Sequence, residues 1–232
     1  MESVASKLNA VSWDFTDART SDGPYAIHPY PAKFIPQIPR TLIELFHPGD
    51  KSVVLDPFCG SGTTNAVASQ MGLPSVGIDI NPLAALIAKV KTTPLSGSLE
   101  AICREVLTKA RKRFSTNRFT IPDIPRLDHW FKKPVQGALA SIVAELAAVE
   151  SGDIADALKV ALSSIIVRVS NQDSDTRYAA VEKNVDDESV FRGFERATAM
   201  VADAIAAIGN GLFDPKKATR IINKVLMTVV RE

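Results

Sequence analysis

The chain has 232 residues, of which 46% are hydrophobic, so it is long enough to bury one sizeable core with an appended subdomain. Its 27 basic and 26 acidic residues give a formal net charge of +1, which excludes a global electrostatic signature of nucleic-acid binding. Any contact with a polyanion therefore depends on a local patch or on a partner. The two cysteines form no CxxC pair, which argues against a zinc site and predicts a reducing compartment. Without an apolar run of about 18 residues, the sequence predicts a cytoplasmic protein that does not enter a membrane.

The amino-terminal region is predicted to hold an irregular arm and then an extended segment. Residues 1–20 are polar, and we expect Trp13 and Phe15 to anchor this arm to the body. Residues 22–39 contain five prolines, too many for a helix or a central strand. A short amphipathic helix follows and ends at residues 47–50, from which the chain enters its first strand.

Residues 53–79 form the most informative part of the sequence. The apolar run 53–55 leads into Asp56, as at the end of a buried parallel strand. Two glycines then permit a tight turn, small polar residues open a helix over 65–70, and a second strand, 75–79, ends on Asp79. A strand, a glycine-rich turn, a helix and a strand with a terminal carboxylate predict the first half of a nucleotide-binding α/β fold.

The chemistry of this turn favours a ligand that has a ribose but no phosphate. Asp79 follows Asp56 by 23 residues, a spacing that suits hydrogen bonds to two ribose hydroxyls. The turn has only two glycines, and an anionic Asp56 would repel a diphosphate but attract a cationic amino group. S-adenosylmethionine (SAM) has that amino group and a ribose, and it carries no phosphate. The sequence therefore predicts SAM as the cofactor.

A likeness to a known family rests on the stretch Asp56-Pro57-Phe58-Cys59-Gly60-Ser61-Gly62-Thr63-Thr64. This stretch resembles the SAM-binding motif of amino-methyltransferases, which methylate exocyclic nitrogens of adenine or cytosine in DNA. Residues 28–36 are similar to the segment that precedes this motif in those enzymes and packs over the methionine end of SAM. Residues 77–82 complete the same order of motifs. The likeness covers roughly residues 11–95 and is weak elsewhere.

The resemblance implies an α/β protein with a Rossmann-like SAM-dependent methyltransferase fold, an incomplete sheet and a helical insertion. Only three strands are visible, the last at 218–223, whereas a doubly wound sheet has about five or more. From residue 96 the spacing of apolar residues predicts a series of helices. We predict three parts: a SAM-binding Rossmann-like part over 1–95, a helical insertion or subdomain over 96–214, and a returning strand with the C-terminal end over 215–232.

The resemblance also implies roles for individual residues. Asp56 is expected to bind the SAM amino group and Asp79 the ribose, while Gly60 and Gly62 let the backbone approach the cofactor. Thr63 and its neighbour open a helix whose hydroxyls and N–H groups suit the methionine carboxylate. An alternative is that this turn serves packing alone. The other expected cofactor-binding residues are Pro57, Phe58, Cys59, Ser61, Thr64, Ile80 and Lys33.

Several of these residues have a second interpretation. Lys33 either pairs with the SAM carboxylate or lies on the surface, and Ile80 either flanks the adenine or belongs to the core. Cys59 follows Phe58 inside the turn, so we expect a thiol that lines the cofactor pocket rather than a nucleophile. His28 and Phe34 are expected to be structural rather than catalytic.

The sequence contains no catalytic residues of the expected kind. The flipped target base must donate its amino hydrogens to an Asp, Asn or Ser side chain and a proline carbonyl, and stack on an aromatic ring. In the family an Asp/Asn/Ser-Pro-Pro-aromatic tetrad does this. The nearest approach here is residues 22–25, where a glycine replaces the first proline, and we interpret it as a turn.

We therefore expect the SAM-binding half of a DNA methyltransferase, inactive as this chain alone. DNA is the expected substrate, and a second protein chain is expected to carry the catalytic tetrad. The alternatives are an RNA or tRNA methyltransferase and a catalytically inactive SAM-binding or assembly module. Two further regions suit nucleic acid, the basic stretch 109–133 and the polar cluster 168–178, although helix capping and surface networks explain both as well.

Overall fold

A computed structural model describes residues 3–18, 23–31, 33, 35–46, 49, 52–150, 152–209 and 219–224. The described chain is a mixed α/β protein with a small parallel sheet. It divides into two compact units. The first comprises Met1–Tyr25, Ala32–Thr92 and Ala207–Glu232, and the second comprises Ala26–Pro31 and Thr93–Ala206.

The first unit contains the parallel sheet and the helices beside it. Its strands lie side by side in the order β1 (Val54–Asp56), β2 (Ser75–Asp79) and β5 (Thr219–Asn223), and both neighbouring pairs are parallel. Strand β5, close to the end of the chain, pairs with β2 from Ser75↔Thr219 to Asp79↔Asn223. The elements are α1 (Val4–Asn9), a 3-10 turn (Gly23–Ala26, whose last residue falls in the second unit), α2 (Gln37–Phe46), β1 (Val54–Asp56), α3 (Thr63–Gln70), β2 (Ser75–Asp79), α4 (Pro82–Thr92) and β5 (Thr219–Asn223).

Gly77 in the centre of β2 allows the layers of this unit to approach closely. A Cβ at this position would lie 2.6 Å from Oδ1 of Asn65 on α3, 2.9 Å from Cδ1 of Ile221 and 3.0 Å from Sγ of Cys59. Asn65 Nδ2 donates to Ser75 Oγ at 3.1 Å, so a buried polar bond joins α3 to the same strand. The helix, the turn and β5 therefore all pack against one glycine.

The expectation that the first strand is buried is wrong. Val53, immediately before β1, is 58% exposed, and Leu55 within it is 61% exposed. Among the described strands only β2 pairs with β1, so β1 lies at an edge of the sheet. An apolar run shows which side chains would stabilise the folded state if they were buried. Whether those side chains are covered depends on the strands and helices that pack around them.

The amino-terminal arm is more regular than its composition predicts. Helix α1 occupies part of the stretch expected to be irregular, and the side chain of Ser3 caps it by accepting from the Ser6 N–H at 3.1 Å. The Trp13 indole donates to the Leu8 carbonyl at 3.0 Å, and its ring lies edge-on to Phe15 at 6.1 Å. These contacts of Trp13 are local to the arm.

The second unit is helical, with one antiparallel hairpin. Its core includes Leu99, Ile142, Leu158 and Phe194, all 2% exposed or less, as the helical periodicity predicts. The hairpin lies within the polar region that follows α8 (Gly152–Val169), where the sequence predicts no strand. The elements are α5 (Leu99–Ser115), α6 (Leu127–Trp130), α7 (Lys133–Leu146), α8 (Gly152–Val169), β3 (Gln172–Ser174), β4 (Arg177–Ala180) and α9 (Asp187–Gly209), whose last residues fall in the first unit.

Candidate functional site

The turn that joins β1 to α3 depends on two glycines in the left-handed conformation. Gly60 has a φ of 50° and Gly62 a φ of 77°, values that residues with a Cβ rarely adopt. A Cβ on Gly62 would also lie 2.6 Å from the Cβ and 2.9 Å from the Cα of Ala88 on α4. Only glycine therefore lets the start of α3 approach α4 this closely. The Cys59 N–H donates to the Ile78 carbonyl at 3.0 Å and so ties the turn to β2.

The two predicted carboxylates, on Asp56 and Asp79, lie at the carboxyl ends of their strands. These ends are neighbours because β1 and β2 are parallel and adjacent in the sheet. Asp79 accepts from the Gly60 N–H at 2.8 Å through Oδ2 and from the Asn81 N–H at 2.8 Å through Oδ1. Asp56 accepts from the Phe58 N–H at 3.2 Å. A carboxylate has about four acceptor sites, so each group keeps capacity for a ligand after bonding the backbone.

Two large apolar side chains beside these carboxylates are exposed. Phe58 is 76% exposed and Ile80 is 70% exposed, so the alternative in which Ile80 belongs to the core is wrong. Pro57 precedes Phe58 in the same turn and is half-buried. Exposed apolar surface next to hydrogen-bond acceptors suits a ligand with a flat heterocycle and a sugar.

The remaining residues of the turn are buried beneath it. Ser61 and Thr63 are each 4% exposed, and Thr64 is half-buried in the first turn of α3, where backbone N–H groups have no carbonyl of their own helix to bond. Cys59 is 5% exposed. Burial, together with the negative charges of Asp56 and Asp79, raises the pKa of the Cys59 thiol to about 12. The thiol is therefore protonated at neutral pH, which disfavours a role as nucleophile.

Lys33 lies within the first unit rather than on an open surface. Its Nζ donates to the Tyr25 carbonyl at 3.0 Å, and burial lowers the pKa of its ammonium. The Tyr25 hydroxyl donates to Gln70 Oε1 at 3.0 Å, and burial raises the pKa of that hydroxyl to about 12. Tyr25 therefore links Lys33 to Gln70, the last residue of α3.

Sequence reasoning missed Lys91 on α4. This lysine is 1% exposed, and its Nζ donates to the Ser61 carbonyl in the turn at 2.6 Å. Burial, followed by the positive charge of Lys33, lowers the pKa of Lys91 to about 7. Helical spacing places Lys91 on the same buried face as Ala84 and Ala88, and this periodicity was the signal that could have identified it.

The other predicted residues are placed as follows. His28 is 8% exposed, and its Nε2 lies 3.1 Å from Ser163 Oγ within the second unit, which fits a structural role. Phe34, Asp22 and residues 225–232 lie outside the described residues. Among the residues that are described, no group of three or more His, Cys, Asp or Glu side chains is placed to hold a metal ion.

A groove runs along the exposed side of β1. It has a volume of about 520 Å³ and is mainly apolar, and Asp56 and Thr64 are among the residues that line it. Leu42 and Phe46 of α2, which contribute to it, are 37% and 38% exposed. We call this feature the β1 groove; its lining residues are Ile38, Pro39, Leu42, Ile43, Phe46, Ser52, Val53, Val54, Leu55, Asp56 and Thr64.

The basic stretch 109–133 is partly neutralised within the second unit. Arg111 forms a two-armed ion pair with Glu188, at 2.6 and 3.0 Å, and Arg113 bonds Glu145 at 2.7 Å. Paired arginines attract phosphate less strongly than unpaired ones. The structure thus favours a structural role for these arginines.

The polar cluster 168–178 forms the end of α8 and most of the hairpin. The Asn171 N–H donates to the Trp130 carbonyl at 2.7 Å, which ties the hairpin to α6. Tyr178 on β4 is 84% exposed. The cluster is therefore mainly a hydrogen-bonded cap on the end of α8, with the aromatic ring of Tyr178 exposed beside it.

Comparisons with known proteins find similarity to DNA methyltransferases. Residues 5–90 match the family model described as DNA methylase, of the N6/N4 methyltransferase type. The chain is 32% identical over 167 residues to the Type II methyltransferase M.MvaI of Kocuria varians, across 68% of this chain and 37% of the relative. It is 43% identical over 95 residues to the Type II methyltransferase M.MjaII of Methanocaldococcus jannaschii, across 40% of this chain and 17% of the relative.

A further relative is the DNA adenine methyltransferase YhdJ of Escherichia coli K12, 42% identical over 69 residues, across 30% of this chain and 22% of the relative. No solved structure matches the chain. The chain is therefore similar, over part of its length, to DNA methyltransferases of the N6/N4 type. The matched part of the chain corresponds to 37% of the length of M.MvaI and 17% of that of M.MjaII. No described helix is both long and apolar enough to cross a membrane.

Proposed function

We propose that this chain is the SAM-binding part of a DNA methyltransferase that methylates an exocyclic amino group of adenine or cytosine. The observation that carries the proposal is the two-glycine turn between two strand-end carboxylates. This turn combines anionic acceptors with exposed apolar surface. That donor and acceptor set fits the amino group, the ribose and the adenine of SAM, and it disfavours a diphosphate.

Each residue of the turn has a proposed task. Asp56 holds the SAM amino group, and Asp79 bonds the ribose hydroxyls while its other contacts fix the turn backbone. Phe58 and Ile80 cover the faces of the adenine. SAM supplies a methyl group on a cationic sulfur, and transfer to the base nitrogen leaves S-adenosylhomocysteine. The chain itself binds and orients the donor on a Rossmann-like fold.

We also propose that a second chain supplies the base-holding tetrad. The β1 groove supports this proposal, because Val53 and Leu55 expose large apolar areas beside the edge of the sheet. Covering such a surface is favourable by about 25 cal/mol per Å² of apolar area. An added strand along β1 would gain backbone hydrogen bonds as well. Its carboxyl end would then lie beside Asp56, where the methyl group is presented.

Isothermal calorimetry with SAM tests the cofactor. We expect the purified chain to bind SAM with a dissociation constant on the order of micromolar, and Asp56→Asn to weaken binding by about tenfold or more. Asp203→Asn, an exposed acid on α9, is the matched control. Absence of heat at millimolar SAM would contradict the proposal and favour an assembly module.

Transfer of a tritiated methyl group to DNA tests the need for a second chain. We expect no incorporation by this chain alone, and incorporation after co-expression with a chain that carries the tetrad. Transfer by this chain alone would refute the two-chain proposal while leaving the SAM site intact. Transfer to RNA but not DNA by the pair would replace DNA with RNA as the substrate.

A further inference from the structure

Two lysines of the first unit lie near Tyr25, and the proposed function leaves one of them, Lys91, without a task. Nζ of Lys91 lies 2.6 Å from the Ser61 carbonyl and 6.0 Å from the centre of the Tyr25 ring. Nζ of Lys33 lies 3.0 Å from the carbonyl of the same tyrosine. An ammonium that is 1% exposed is costly to bury unless an opposite charge compensates it.

The groups that act on Lys91 do not provide that opposite charge. They are Lys33, which is a like charge, and Cys59. The pKa of the Cys59 thiol is raised to about 12, so it is neutral at physiological pH, and the Tyr25 hydroxyl has a similarly raised pKa of about 12. Among the described residues, the Lys91 ammonium is bonded to a backbone carbonyl rather than to an acid. Asp79, an acid at the same turn, accepts instead from the N–H groups of Gly60 and Asn81.

We propose that Lys91 binds the carboxylate of the methionine moiety of SAM, with Lys33 on the same anion. The inference rests on the proposed function, because it takes SAM as the ligand. The carboxylate is the one anionic group of SAM, and it shares a carbon atom with the amino group assigned to Asp56. Ser61 precedes the start of α3 by two residues, so the Lys91 ammonium lies beside a helix N-terminus, which also favours anions.

This arrangement predicts that SAM binding is linked to protonation. Burial and Lys33 both favour the neutral form of Lys91 when no anion is present. A bound carboxylate favours the charged form and raises the pKa of Lys91. Above neutral pH, binding of SAM therefore draws a proton from solution.

The decisive experiment compares SAM with decarboxylated SAM, which keeps the amino group, the sulfonium and the adenosine. Calorimetry on the full chain is expected to show Lys91→Met weakening SAM by about tenfold or more while changing decarboxylated SAM by less than about twofold. Lys89→Met on the same helix makes the same chemical change at a half-buried site and is the control. It is expected to leave both affinities unchanged.

Two outcomes overturn the inference while the proposed function stands. Equal weakening of both ligands by Lys91→Met would mean that the lysine only holds the turn. No change for either ligand would mean that it has no part in binding. If the unaltered chain binds neither ligand, the proposed function fails as well, so the two failures are distinguishable.

A second measurement needs no variant and covers the case in which Lys91→Met does not fold. SAM binding at pH 8 is measured in two buffers of different ionisation enthalpy, which gives the number of protons taken up. The α-amino group of SAM has a pKa of about 8, so its own binding as a cation takes up about half a proton at pH 8. We therefore expect uptake of about 1.5 protons for SAM, the additional proton going to Lys91, and close to zero for decarboxylated SAM. Uptake of only about half a proton for SAM would overturn the inference.

Discussion

Asp79 shows how one side chain serves both the fold and the site. Its two oxygens accept from different backbone donors, the N–H groups of Gly60 and Asn81, each at 2.8 Å. The carboxylate therefore fixes the conformation of the turn before any ligand binds. A ligand hydroxyl meets an acceptor that is already oriented, which lowers the entropic cost of binding.

Replacing Asp79 by asparagine separates these two contributions. An amide has one acceptor oxygen, so one of the two backbone N–H groups loses its partner. We expect the free energy of unfolding to fall by about 1–2 kcal/mol and the affinity for S-adenosylhomocysteine to fall by about tenfold. Urea unfolding and calorimetry measure the two effects. A variant with unchanged affinity would remove Asp79 from the site.

Lys91 predicts an unusual dependence of stability on pH. Its pKa is about 7 in the folded chain against a usual value of 10.5. Between these values the unfolded state binds more protons than the folded state, so stability rises as pH is raised from about 7 toward 10. Below pH 7 both states are protonated and the contribution of Lys91 is flat.

Urea unfolding at pH 7.0 and 9.5 measures this effect. We expect the free energy of unfolding of the unaltered chain to rise by about 2–3 kcal/mol more than that of Lys91→Met. Taking the difference between the two proteins cancels the titration of other groups, such as Lys33. An equal change in both proteins would place the pKa of Lys91 at its usual value.

At the scale of elements, both backbone conformation and contact with α4 restrict which residues can occupy the turn before α3. Gly62 has a positive φ and meets Ala88 of α4, whereas Gly72 has a φ of 68° and no atom within 4 Å of the position that a Cβ would occupy. The two glycines share the conformational constraint and differ in the contact. They therefore form a matched pair for alanine substitution.

Alanine at Gly72 is expected to destabilise the chain by about 1 kcal/mol, the cost of the left-handed conformation. Alanine at Gly62 is expected to cost about 3–4 kcal/mol, because the backbone of α4 must also move. Thermal and urea unfolding give both values. Equal costs at the two positions would show that α3 and α4 are less closely packed than described.

Local signals explain which elements the sequence predicts and which it does not. The strand-turn-helix-strand unit from β1 to β2 has strong turn chemistry and clear apolar runs, and the structure contains it. The hairpin of β3 and β4 has few apolar residues, and α1 is only six residues long. The hairpin and α1 therefore contain too few apolar residues to give a recognisable periodic pattern in the sequence. Contacts with α6 hold the hairpin, and sequence patterns do not report such contacts.

At the scale of the whole molecule, the β1 groove is an apolar surface that the packing of the first unit leaves exposed. The two-chain proposal predicts that this surface matters for association and not for the stability of the chain itself. Leu55→Asp is expected to change the free energy of unfolding by less than about 0.5 kcal/mol, because Leu55 is already 61% exposed.

The same substitution is expected to weaken association with the tetrad-bearing chain by about tenfold or more, since it buries a charge at the interface. Analytical ultracentrifugation measures the association. Val4→Asp on α1, at a residue 62% exposed, is the matched control and should leave association unchanged. Normal association of Leu55→Asp would exclude the β1 groove as the docking surface.

The sequence by itself determined the local unit that carries the proposed cofactor site. Turn glycines, strand-end acids and apolar runs act over a few residues, so their pattern predicts β1, the turn, α3 and β2 without knowledge of the rest. Comparison with known proteins then supported the class that the motif indicates.

Only the tertiary structure decided what surrounds that unit. It placed Lys91 against the Ser61 carbonyl, 30 residues away, and Thr219 of β5 against Ser75, 144 residues away. It also left the apolar face of β1 exposed. Burial, strand pairing and the pKa of a buried lysine depend on contacts between residues that are distant in the sequence. A local sequence pattern does not predict those contacts.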